Sequence, residues 1–302
     1  MKKYKKLLFI ILINIFLILF FVILFEFITY YFIGKIEGWY PDNNIKRIDF
    51  TLDKIGQKRY GFKFREPCET GYKKAPIVLY GCSYTYGDGL KENENFSYFL
   101  SKYAKRPVYN FGLSGRGMQQ ALYIMQNQPL IQPEPEYIFY TFLNRHIRRL
   151  YMSCVFIDVF NFFSYEYKNN QFVIKNDKLK SIKNTMLYQS IMYHIVIPLI
   201  KEENKYNLFI TYLKEMKKVL KEKYPNAKFI LILYDRKNNE YINLTNERIQ
   251  EIENIGIEVI DFDEIFGDKL YQLEYQLSEM DNHPNAKAWE MIVPEIVKRE
   301  KM

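Results

Sequence analysis

Four short segments of the sequence carry side chains of the types that acyl transfer requires. They are Gly81-Cys82-Ser83, Gly112-Leu113-Ser114-Gly115, Leu143-Asn144 and Asp281-Asn282-His283. Acyl transfer needs a nucleophile, a base that takes its proton, a carboxylate that orients the base, and donors that stabilise the oxyanion. We interpret Ser83 as the nucleophile, His283 as the base and Asp281 as the orienting carboxylate.

The same segments supply candidate donors for an oxyanion hole. The backbone N–H groups of Ser83 and Gly115 and the side-chain amide of Asn144 are the predicted donors. A helix that begins directly after Ser83 would add the positive end of its dipole. Glu279 is an alternative to Asp281 as the carboxylate that orients the base.

Each of these residues also has a commonplace structural interpretation. A lone serine after a strand is most often a turn or helix-capping residue, and a lone asparagine is often a turn residue. His146 and His194 are interpreted as structural, and Arg145, Arg148 and Arg149 as either a solvated face or a contact for an anionic substrate group. The glycines at 112, 115 and 117 are spaced GxxGxG, which is not the dinucleotide-binding pattern GxGxxG.

The elements that position the four segments are predicted from apolar runs that alternate with helical patterns. Strands are predicted at 75–80, 107–112, 137–143, 228–235 and 257–262, and helices at 95–105, 118–126, 207–223, 243–255 and 286–298. Several of the strands are continuously apolar, which is typical of strands covered on both faces. The sequence therefore predicts an α/β fold, a three-layer sandwich with a central, mostly parallel five-stranded sheet. In such a sheet the carboxyl ends of the strands share one edge, where sites form.

The order of the four segments resembles the SGNH hydrolase superfamily, also called GDSL esterases and lipases. The resemblance runs over most of residues 75–300. GCSYTYG is similar to the family's first block, Gly-Asp-Ser-x-Thr-x-Gly, NFGLSGRG to its second, Phe142-Leu143-Asn144 to its third, and DNHPN to its last. The resemblance implies a flavodoxin-like sheet, ester hydrolysis without a cofactor or metal, a Ser83–His283–Asp281 triad, and oxyanion donors at Ser83, Gly115 and Asn144.

The sequence departs from the family pattern at three places. Cys82 stands where the first block has Asp, and Arg145 stands where the third block has Asp after its Asn. The common final spacing is Asp-x-x-His, whereas Asp281 lies only two residues before His283. A closer Asp-x-His spacing is found in some membrane-anchored members.

The N-terminal 34 residues are predicted to be a cytoplasmic lysine-rich tip followed by a transmembrane signal anchor. Residues 7–24 carry no charge, and 18 such residues in a helix span about 27 Å, close to the hydrocarbon thickness. Lysines precede this run and no small-residue cleavage pattern follows it, which favours an uncleaved, single-pass anchor with the rest of the chain outside the cytoplasm. Residues 7–33 are therefore expected to contact the lipid bilayer.

Two further segments are predicted around the catalytic domain of residues 75–302. Residues 35–74 are interpreted as a spacer, and residues 147–205 interrupt the strand–helix rhythm. A long insertion in a compact domain is often a lid or an added subdomain, so we interpret 147–205 in this way.

Composition narrows the classes of partner. The net charge of +8 is spread over many faces and forms no basic stripe, so no nucleic acid is expected as a partner. Cys68, Cys82 and Cys154 have no metal-binding spacing, and the sequence leaves open whether Cys68 pairs with Cys154.

The sequence thus predicts a membrane-anchored, serine-dependent O-acyl (above all O-acetyl) esterase or O-acyltransferase. The expected substrate is an acyl ester or a cell-envelope glycan, and the acceptor is water or a sugar hydroxyl. The alternative from another class is a non-catalytic envelope-assembly or glycan-binding module on a retained fold, which would have envelope-assembly proteins as partners. A misaligned Ser83–His283 pair would favour that alternative.

Overall fold

The computed structural model describes two long stretches of the chain, residues 71–151 and 191–302. It also describes Cys68, the strand residues 47–48, 64–65, 164–168 and 171–175, and the helical positions 13, 14, 17, 20, 21 and 24. The predicted anchor, most of the spacer and residues 152–190 of the insertion, apart from the residues just named, lie outside the described residues, as does Cys154. Among the residues that are described, no helix is both long enough and apolar enough to cross a bilayer.

The strands of the described residues fall into one five-stranded sheet and three two-stranded pairs. They are β1 (Arg47–Ile48), β2 (Phe64–Arg65), β3 (Ile77–Gly81), β4 (Val108–Gly112), β5 (Tyr137–Phe142), β6 (Ser164–Lys168), β7 (Gln171–Lys175), β8 (Lys228–Leu233), β9 (Glu258–Asp261), β10 (Gln276–Ser278) and β11 (Asp281–Pro284).

The α-helices of the two long stretches are α1 (Ser83–Tyr86), α2 (Phe96–Ala104), α3 (Met118–Asn127), α4 (Arg145–Tyr151), α5 (Ile197–Leu199), α6 (Glu202–Lys223), α7 (Asn246–Asn254), α8 (Phe262–Phe266) and α9 (Ala286–Glu300). A π-helical turn (Met192–Val196) precedes α5, and two 3-10 turns (Gly267–Tyr271 and Leu273–Tyr275) follow α8. Asn95, Thr245 and Asn285 begin α2, α7 and α9, and each side-chain oxygen accepts a backbone N–H of the first helical turn.

The central sheet confirms the predicted α/β architecture. Its strands run parallel in the order β4–β3–β5–β8–β9, which is the flavodoxin-like order 2-1-3-4-5. All five predicted strands are present, with boundaries within two residues of the expected ones. In this order, the chain reverses its direction of winding beside β3, so the end of β3 faces the crevice where sites form in such sheets.

Side chains alternate between two cores, one on each face of the sheet. On β3, Val78 and Tyr80 belong to a core with α3, α6 and α7, whereas Ile77 and Leu79 belong to a core with α2 and α9. Successive strand residues point to opposite faces, so an apolar residue at every position is buried on one side or the other. Helices therefore cover both faces of the sheet, as the continuously apolar strands predict.

Several elements of the described chain were not predicted from the sequence, and two of them carry candidate site residues. One is α4, which begins three residues after β5 ends. The other is the antiparallel hairpin of β10 and β11, which lies outside the central sheet. Helix α6 also begins at Glu202, five residues before the predicted start at 207.

The chain that precedes the sheet pairs with its edge strand at one residue. The backbone N–H of Cys68 donates to the carbonyl oxygen of Val108 on β4 at 3.0 Å, in an isolated antiparallel bridge. Strand β4 lies at the edge of the sheet, so this bridge occupies part of an otherwise open backbone edge.

Candidate active site

Ser83 is placed by a sharp transition from strand to helix. Strand β3 ends at Gly81, and Ser83 is the first residue of the single-turn helix α1. A Cβ atom on Gly81 would lie 2.0 Å from Oγ1 of Thr85, so only glycine permits the chain to fold back this tightly. Ser83 therefore lies at the carboxyl end of β3, where the parallel sheet forms its crevice.

Asp281 and His283 are placed by the hairpin strand β11. They lie two residues apart on this strand, and side chains at i and i+2 of a strand share one face. Oδ1 of Asp281 lies 2.5 Å from Nδ1 of His283 and also accepts the backbone N–H of His283 at 3.1 Å. The Asp-x-His spacing thus suits a strand, and the carboxylate holds both the ring and the backbone of the histidine.

The structure brings Ser83 and His283 into direct contact. Nε2 of His283 lies 2.7 Å from Oγ of Ser83, although the two residues are 200 positions apart in the sequence. Because Asp281 engages Nδ1, a neutral ring carries its proton on Nδ1 and presents the lone pair of Nε2 to the serine hydroxyl. The Ser83 residue is 6% exposed and the His283 side chain 21% exposed, so the contact lies at the floor of an open site.

Asp281 is held in its ionised form. Its burial alone would raise the pKa of the carboxyl group, but interactions with His283 and Arg145 outweigh this effect and lower the pKa below its usual range. They are the hydrogen bonds from the ring and from the backbone N–H of His283, and the electrostatic attraction of His283 and of Arg145. An ionised carboxylate at this position can stabilise an imidazolium on His283 when the ring accepts a proton.

Glu279, the alternative carboxylate, lies outside this arrangement. It is exposed and lies between the two hairpin strands, after β10 ends at Ser278 and before β11 begins at Asp281. The hydrogen bond and ion pair of the His283 ring nitrogen Nδ1 go to Asp281. Of the two carboxylates that the sequence offered, Asp281 is the one that contacts the histidine.

The loop that carries Gly115 lies beside the end of β3. Gly81 on β3 is in register with Gly112 on β4, and the backbone N–H of Leu113 donates to the carbonyl oxygen of Gly81 at 3.1 Å. The hydroxyl of Ser114 donates to the carboxylate of Asp88, which follows α1. The loop that bears the predicted backbone donor Gly115 is thereby tied to the segment that follows the nucleophile.

The side-chain amide of Asn144, a predicted oxyanion donor, makes hydrogen bonds within the protein. The residue is fully buried, its side-chain nitrogen donates to the carbonyl oxygen of Ile242 at 2.7 Å, and its side-chain oxygen accepts the backbone N–H of Tyr241 at 2.9 Å. Its own backbone N–H donates to Asp235 at 2.7 Å. The side-chain amide of Asn144 is thus hydrogen bonded to the loop that follows β8, and these bonds hold that loop next to the end of β5.

Two residues that the sequence analysis did not select support α1. The side chain of Asn110 on β4 donates to the carbonyl oxygen of Thr85 at 2.7 Å and accepts the backbone N–H of Gly112 at 2.9 Å. Tyr84, the residue after the nucleophile, contacts the hairpin through its hydroxyl. Asn110 lies within the second block of the family resemblance, and Tyr84 lies within the first. Their positions inside these blocks are the sequence signal that could have drawn attention to them.

The three arginines of α4 do not form a single solvated face. Arg145 donates to the hydroxyl of Tyr84 at 2.9 Å, Arg148 lies 5.0 Å from the centre of the Tyr193 ring, and Arg149 donates to the carbonyl oxygen of Arg116. Each of the three therefore has a different partner, and the partner of Arg145, Tyr84, follows the nucleophile directly in the sequence.

The remaining histidines lie apart from the Ser83 contact. His146 is fully buried, with Nδ1 2.9 Å from the hydroxyl of Tyr140, and burial together with nearby arginines lowers the pKa of its ring well below the usual value. His194 is exposed beside α5. Within the residues that the structure describes, no group of three or more His, Cys, Asp or Glu side chains is placed to hold a metal ion.

The arrangement as a whole can perform nucleophilic acyl chemistry. A serine hydroxyl, an imidazole and a carboxylate are hydrogen bonded in series, and the series opens to solvent at its carboxylate end. The backbone N–H of Ser83 is the first of a helix and has no acceptor within that helix, which leaves it available to an oxyanion.

Comparison with known proteins identifies similar solved structures only. No family profile and no curated protein matches the chain. A protein described as lipolytic, of the G-D-S-L family, from Desulfitobacterium hafniense has 14% identity and a TM-score of 0.44, with 75% of this chain and 99% of that chain covered.

Two further solved structures have comparable scores. A member of the lipolytic G-D-S-L family from Veillonella parvula has 13% identity and a TM-score of 0.43, over 75% of this chain and 97% of the other. An acetyl xylan esterase from Butyrivibrio proteoclasticus has 10% identity and a TM-score of 0.44, over 76% of this chain and 64% of the other. At these identities and scores, the functional interpretation depends on the contacts among Ser83, His283 and Asp281.

Proposed function

We propose that the protein is a serine-dependent O-acyl esterase, with Ser83 as the nucleophile, His283 as the general base and Asp281 as the orienting carboxylate. The observation that carries this proposal is the 2.7 Å contact between Oγ of Ser83 and Nε2 of His283, which is continued by the 2.5 Å contact from His283 to Asp281. A non-catalytic module would have no need for this alignment.

In the first half of the reaction, an acyl group moves from the substrate to the enzyme. Oγ of Ser83 attacks the ester carbonyl carbon while Nε2 of His283 takes the hydroxyl proton, and Asp281 stabilises the resulting imidazolium. The negative oxygen of the tetrahedral intermediate is stabilised by the backbone N–H groups of Ser83 and Gly115. The intermediate collapses when His283 returns the proton to the departing alcohol oxygen, which leaves an ester on Ser83.

In the second half, an acceptor hydroxyl removes the acyl group from Ser83. His283 takes a proton from the acceptor, the acceptor oxygen attacks the acyl carbon, and the proton then passes to Oγ of Ser83. Water as acceptor releases a carboxylic acid, whereas a sugar hydroxyl yields a new ester. Within the part of the chain that the structure describes, the side chain of Asp281 is 46% exposed, and for this reason we favour water as the acceptor.

The proposed substrates are O-acyl, above all O-acetyl, esters on glycans of the cell envelope. This substrate class follows from the proposed location, with residues 1–34 as a signal anchor and residues 35–302 outside the cytoplasm. The described positions Ile13, Leu17, Phe20, Phe21 and Leu24 are helical, apolar and exposed, as a lipid-facing helix requires. A glycan at the membrane surface would lie within reach of a domain anchored in this way.

The location can be tested with a reporter fused after Met302. We expect a reporter that requires export to be active and one that requires the cytoplasm to be inactive, with the chain retained in the membrane at full length. An active cytoplasmic reporter would refute the proposed topology. A chain shortened by about 30 residues would show a cleaved signal peptide instead.

The activity can be tested with the full chain purified in detergent. We expect a fluorophosphonate probe to label the wild-type protein and not Ser83→Ala, and we expect hydrolysis of small acetyl esters to disappear in the same variant. A panel of acyl esters, with and without glycan acceptors, separates hydrolysis from transfer. Failure of the folded wild-type protein both to react with the probe and to cleave any ester would favour the non-catalytic glycan-binding or assembly module.

A further inference from the structure

The nucleophile and the acid–base pair lie on separate elements that need a fixed relative position. Ser83 belongs to α1 at the end of the central sheet, whereas Asp281 and His283 belong to the hairpin of β10 and β11, which is not a part of that sheet. A displacement of about 1 Å between reacting groups is enough to slow a reaction by orders of magnitude. Something other than strand pairing must therefore hold the hairpin against α1.

Tyr84 makes this connection directly. Its hydroxyl lies 3.0 Å from the backbone carbonyl oxygen of Asn282 and 3.1 Å from the side-chain oxygen of the same residue. Asn282 lies between Asp281 and His283, so the residue that follows the nucleophile holds the backbone between the acid and the base. Two neighbouring residues of α1 thus contact two neighbouring residues of β11.

Arg145 fixes the direction of the Tyr84 hydroxyl. Its guanidinium donates to the tyrosine oxygen at 2.9 Å, and its central carbon lies 5.2 Å from the centre of the tyrosine ring. An arginine can only donate, so the hydroxyl accepts from Arg145 and its single proton is directed at Asn282. Burial raises the pKa of Tyr84, which keeps this proton in place.

The ring of Tyr84 also packs against the catalytic imidazole. The centres of the Tyr84 and His283 rings are 4.7 Å apart, with their planes tilted by 47°. On another side, the edge of the Tyr84 ring contacts Tyr234 at the end of β8, at 4.9 Å between centres. The ring therefore limits the tilt of His283 while it is itself held by the core.

We propose that Tyr84, with its hydroxyl oriented by Arg145, is a positioning residue that fastens the acid–base hairpin to the nucleophile helix. The proposal rests on the proposed esterase reaction and assigns no substrate contact to either residue. The proton of the Tyr84 hydroxyl is shared between the two oxygens of Asn282. Other contacts between these parts of the chain are the Ser83–His283 hydrogen bond and, after α1, the packing of Leu277 against Gly89, where an added Cβ would lie 2.5 Å from a methyl group of Leu277. Tyr84 adds a connection from α1 to the residue directly before the histidine.

An alternative role for Arg145 is recognition of an anionic group on the substrate. The structure favours positioning, because the guanidinium of Arg145 already donates to the Tyr84 hydroxyl at 2.9 Å and lies over the Tyr84 ring. Its positive charge also lowers the pKa of Asp281, so a carboxylate of the proposed triad already opposes part of that charge.

The first test compares Tyr84→Phe with Tyr80→Phe in the full chain. Tyr84→Phe keeps the ring and removes the hydroxyl, so we expect kcat for p-nitrophenyl acetate and the rate of fluorophosphonate labelling to fall together, by about five- to tenfold. KM should change by less than about twofold, because no substrate contact is lost. Tyr80→Phe, on β3 in the opposite core and stacked on Phe111, should leave both rates unchanged.

The second test is a double-variant cycle with Arg145. If Arg145 acts through Tyr84, Arg145→Met should reduce kcat by about the same factor as Tyr84→Phe, and the double variant should lose little more than either single variant. Arg145→Lys, which can still donate to the hydroxyl, should recover most of the loss. If the double variant instead showed the product of the two single losses in kcat, the proposal that Arg145 acts through Tyr84 would be overturned.

Anion recognition has a different signature in the same variants. It predicts that Arg145→Met raises KM for an acetyl ester that carries a carboxylate and leaves p-nitrophenyl acetate unaffected; this result would overturn the proposal. Wild-type kcat and labelling in folded Tyr84→Phe would do the same. Failure of the esterase proposal itself would give a different result, because the wild-type protein would then neither react with the fluorophosphonate probe nor hydrolyse p-nitrophenyl acetate.

Discussion

Asp281 accepts two hydrogen bonds from one residue, His283: the ring Nδ1 contributes one at 2.5 Å and the backbone N–H the other at 3.1 Å. This pairing sets the tautomer in which Nε2 faces Ser83. We predict that Asp281→Asn lowers kcat by about 10⁴-fold, as a preferred tautomer is lost. Steady-state hydrolysis of a small acetyl ester by purified variants measures this effect.

Glu279→Gln is the matched control, because it removes the other nearby carboxylate from the same hairpin. We expect hydrolysis at the wild-type rate, since Glu279 is exposed and does not contact the histidine. The reverse pattern, with a large loss for Glu279→Gln and little loss for Asp281→Asn, would assign the carboxylate role to Glu279.

Asn144→Ala should affect stability more than chemistry. The substitution leaves the buried N–H of Tyr241 and the carbonyl oxygen of Ile242 without their side-chain partner, at a cost of about 1–3 kcal/mol each. We predict a loss of about 3 kcal/mol in the free energy of unfolding, measured in urea, and turnover per folded molecule close to that of the wild-type protein.

The control for Asn144 is Asn238→Ala, which alters an exposed asparagine in the same region and should leave stability nearly unchanged. A normally stable Asn144→Ala protein that works about a hundredfold to a thousandfold more slowly would restore Asn144 as an oxyanion donor.

Ser114→Ala should slow catalysis by loosening the loop that carries Gly115. The Ser114 hydroxyl donates to the Asp88 carboxylate, and the backbone N–H of Asp88 donates to the carbonyl oxygen of Ser83 at 3.1 Å. A hydrogen bond to a charged group contributes about 1.5–3 kcal/mol, so we predict a decrease of about tenfold or more in kcat and in fluorophosphonate labelling. Ser114→Thr retains a hydroxyl and should recover most of the rate; equal losses in both variants would contradict the interpretation.

Asp235 should make stability depend on pH. Burial raises the pKa of this carboxyl from 3.8 to about 7, although the N–H of Asn144 and the charge of Arg145 partly oppose the rise, and Asp263 adds to it. Between these values the folded protein binds a proton that the unfolded chain lacks, so the free energy of unfolding decreases as the pH rises from about 4 to about 7.

The measurement is urea unfolding at several pH values between about 4 and 7. The wild-type protein should lose stability over this range relative to Asp235→Asn, which carries no charge at either end. Asp268→Asn, at a carboxylate that is 84% exposed, should preserve the wild-type slope. Parallel curves for wild type and Asp235→Asn would refute the assignment.

The sheet was predictable because each of its strands is covered on both faces. The continuous apolar runs such as Ile77–Gly81 and Lys228–Leu233 require helices on either side, and the alternation of strands with helices then specifies parallel pairing. The ends of the strands were predicted within two residues, since the polar segments that follow them mark the carboxyl edge.

The spacing of the residues alone could not decide whether Asp281 or Glu279 contacts His283. Residues two and four positions before His283 share its face in an uninterrupted strand. The hairpin turn interrupts the strand after Ser278, and this turn is what leaves Glu279 outside the contact. The hydrogen bonds of Asn144 go to Tyr241 and Ile242, which lie 97 and 98 positions further along the chain. The residues around Asn144 in the sequence do not indicate where that loop lies.

The division of the site between the central sheet and the β10–β11 hairpin has a consequence for how the protein loses activity. The nucleophile stands at the end of a buried strand of the central sheet, whereas the acid and the base stand on a short two-stranded element with exposed neighbours such as Asn282. Elements with few buried contacts open locally at a lower free energy than the whole domain. We therefore expect inactivation to precede unfolding: at low urea the hairpin detaches, and a folded protein with an intact serine no longer turns over.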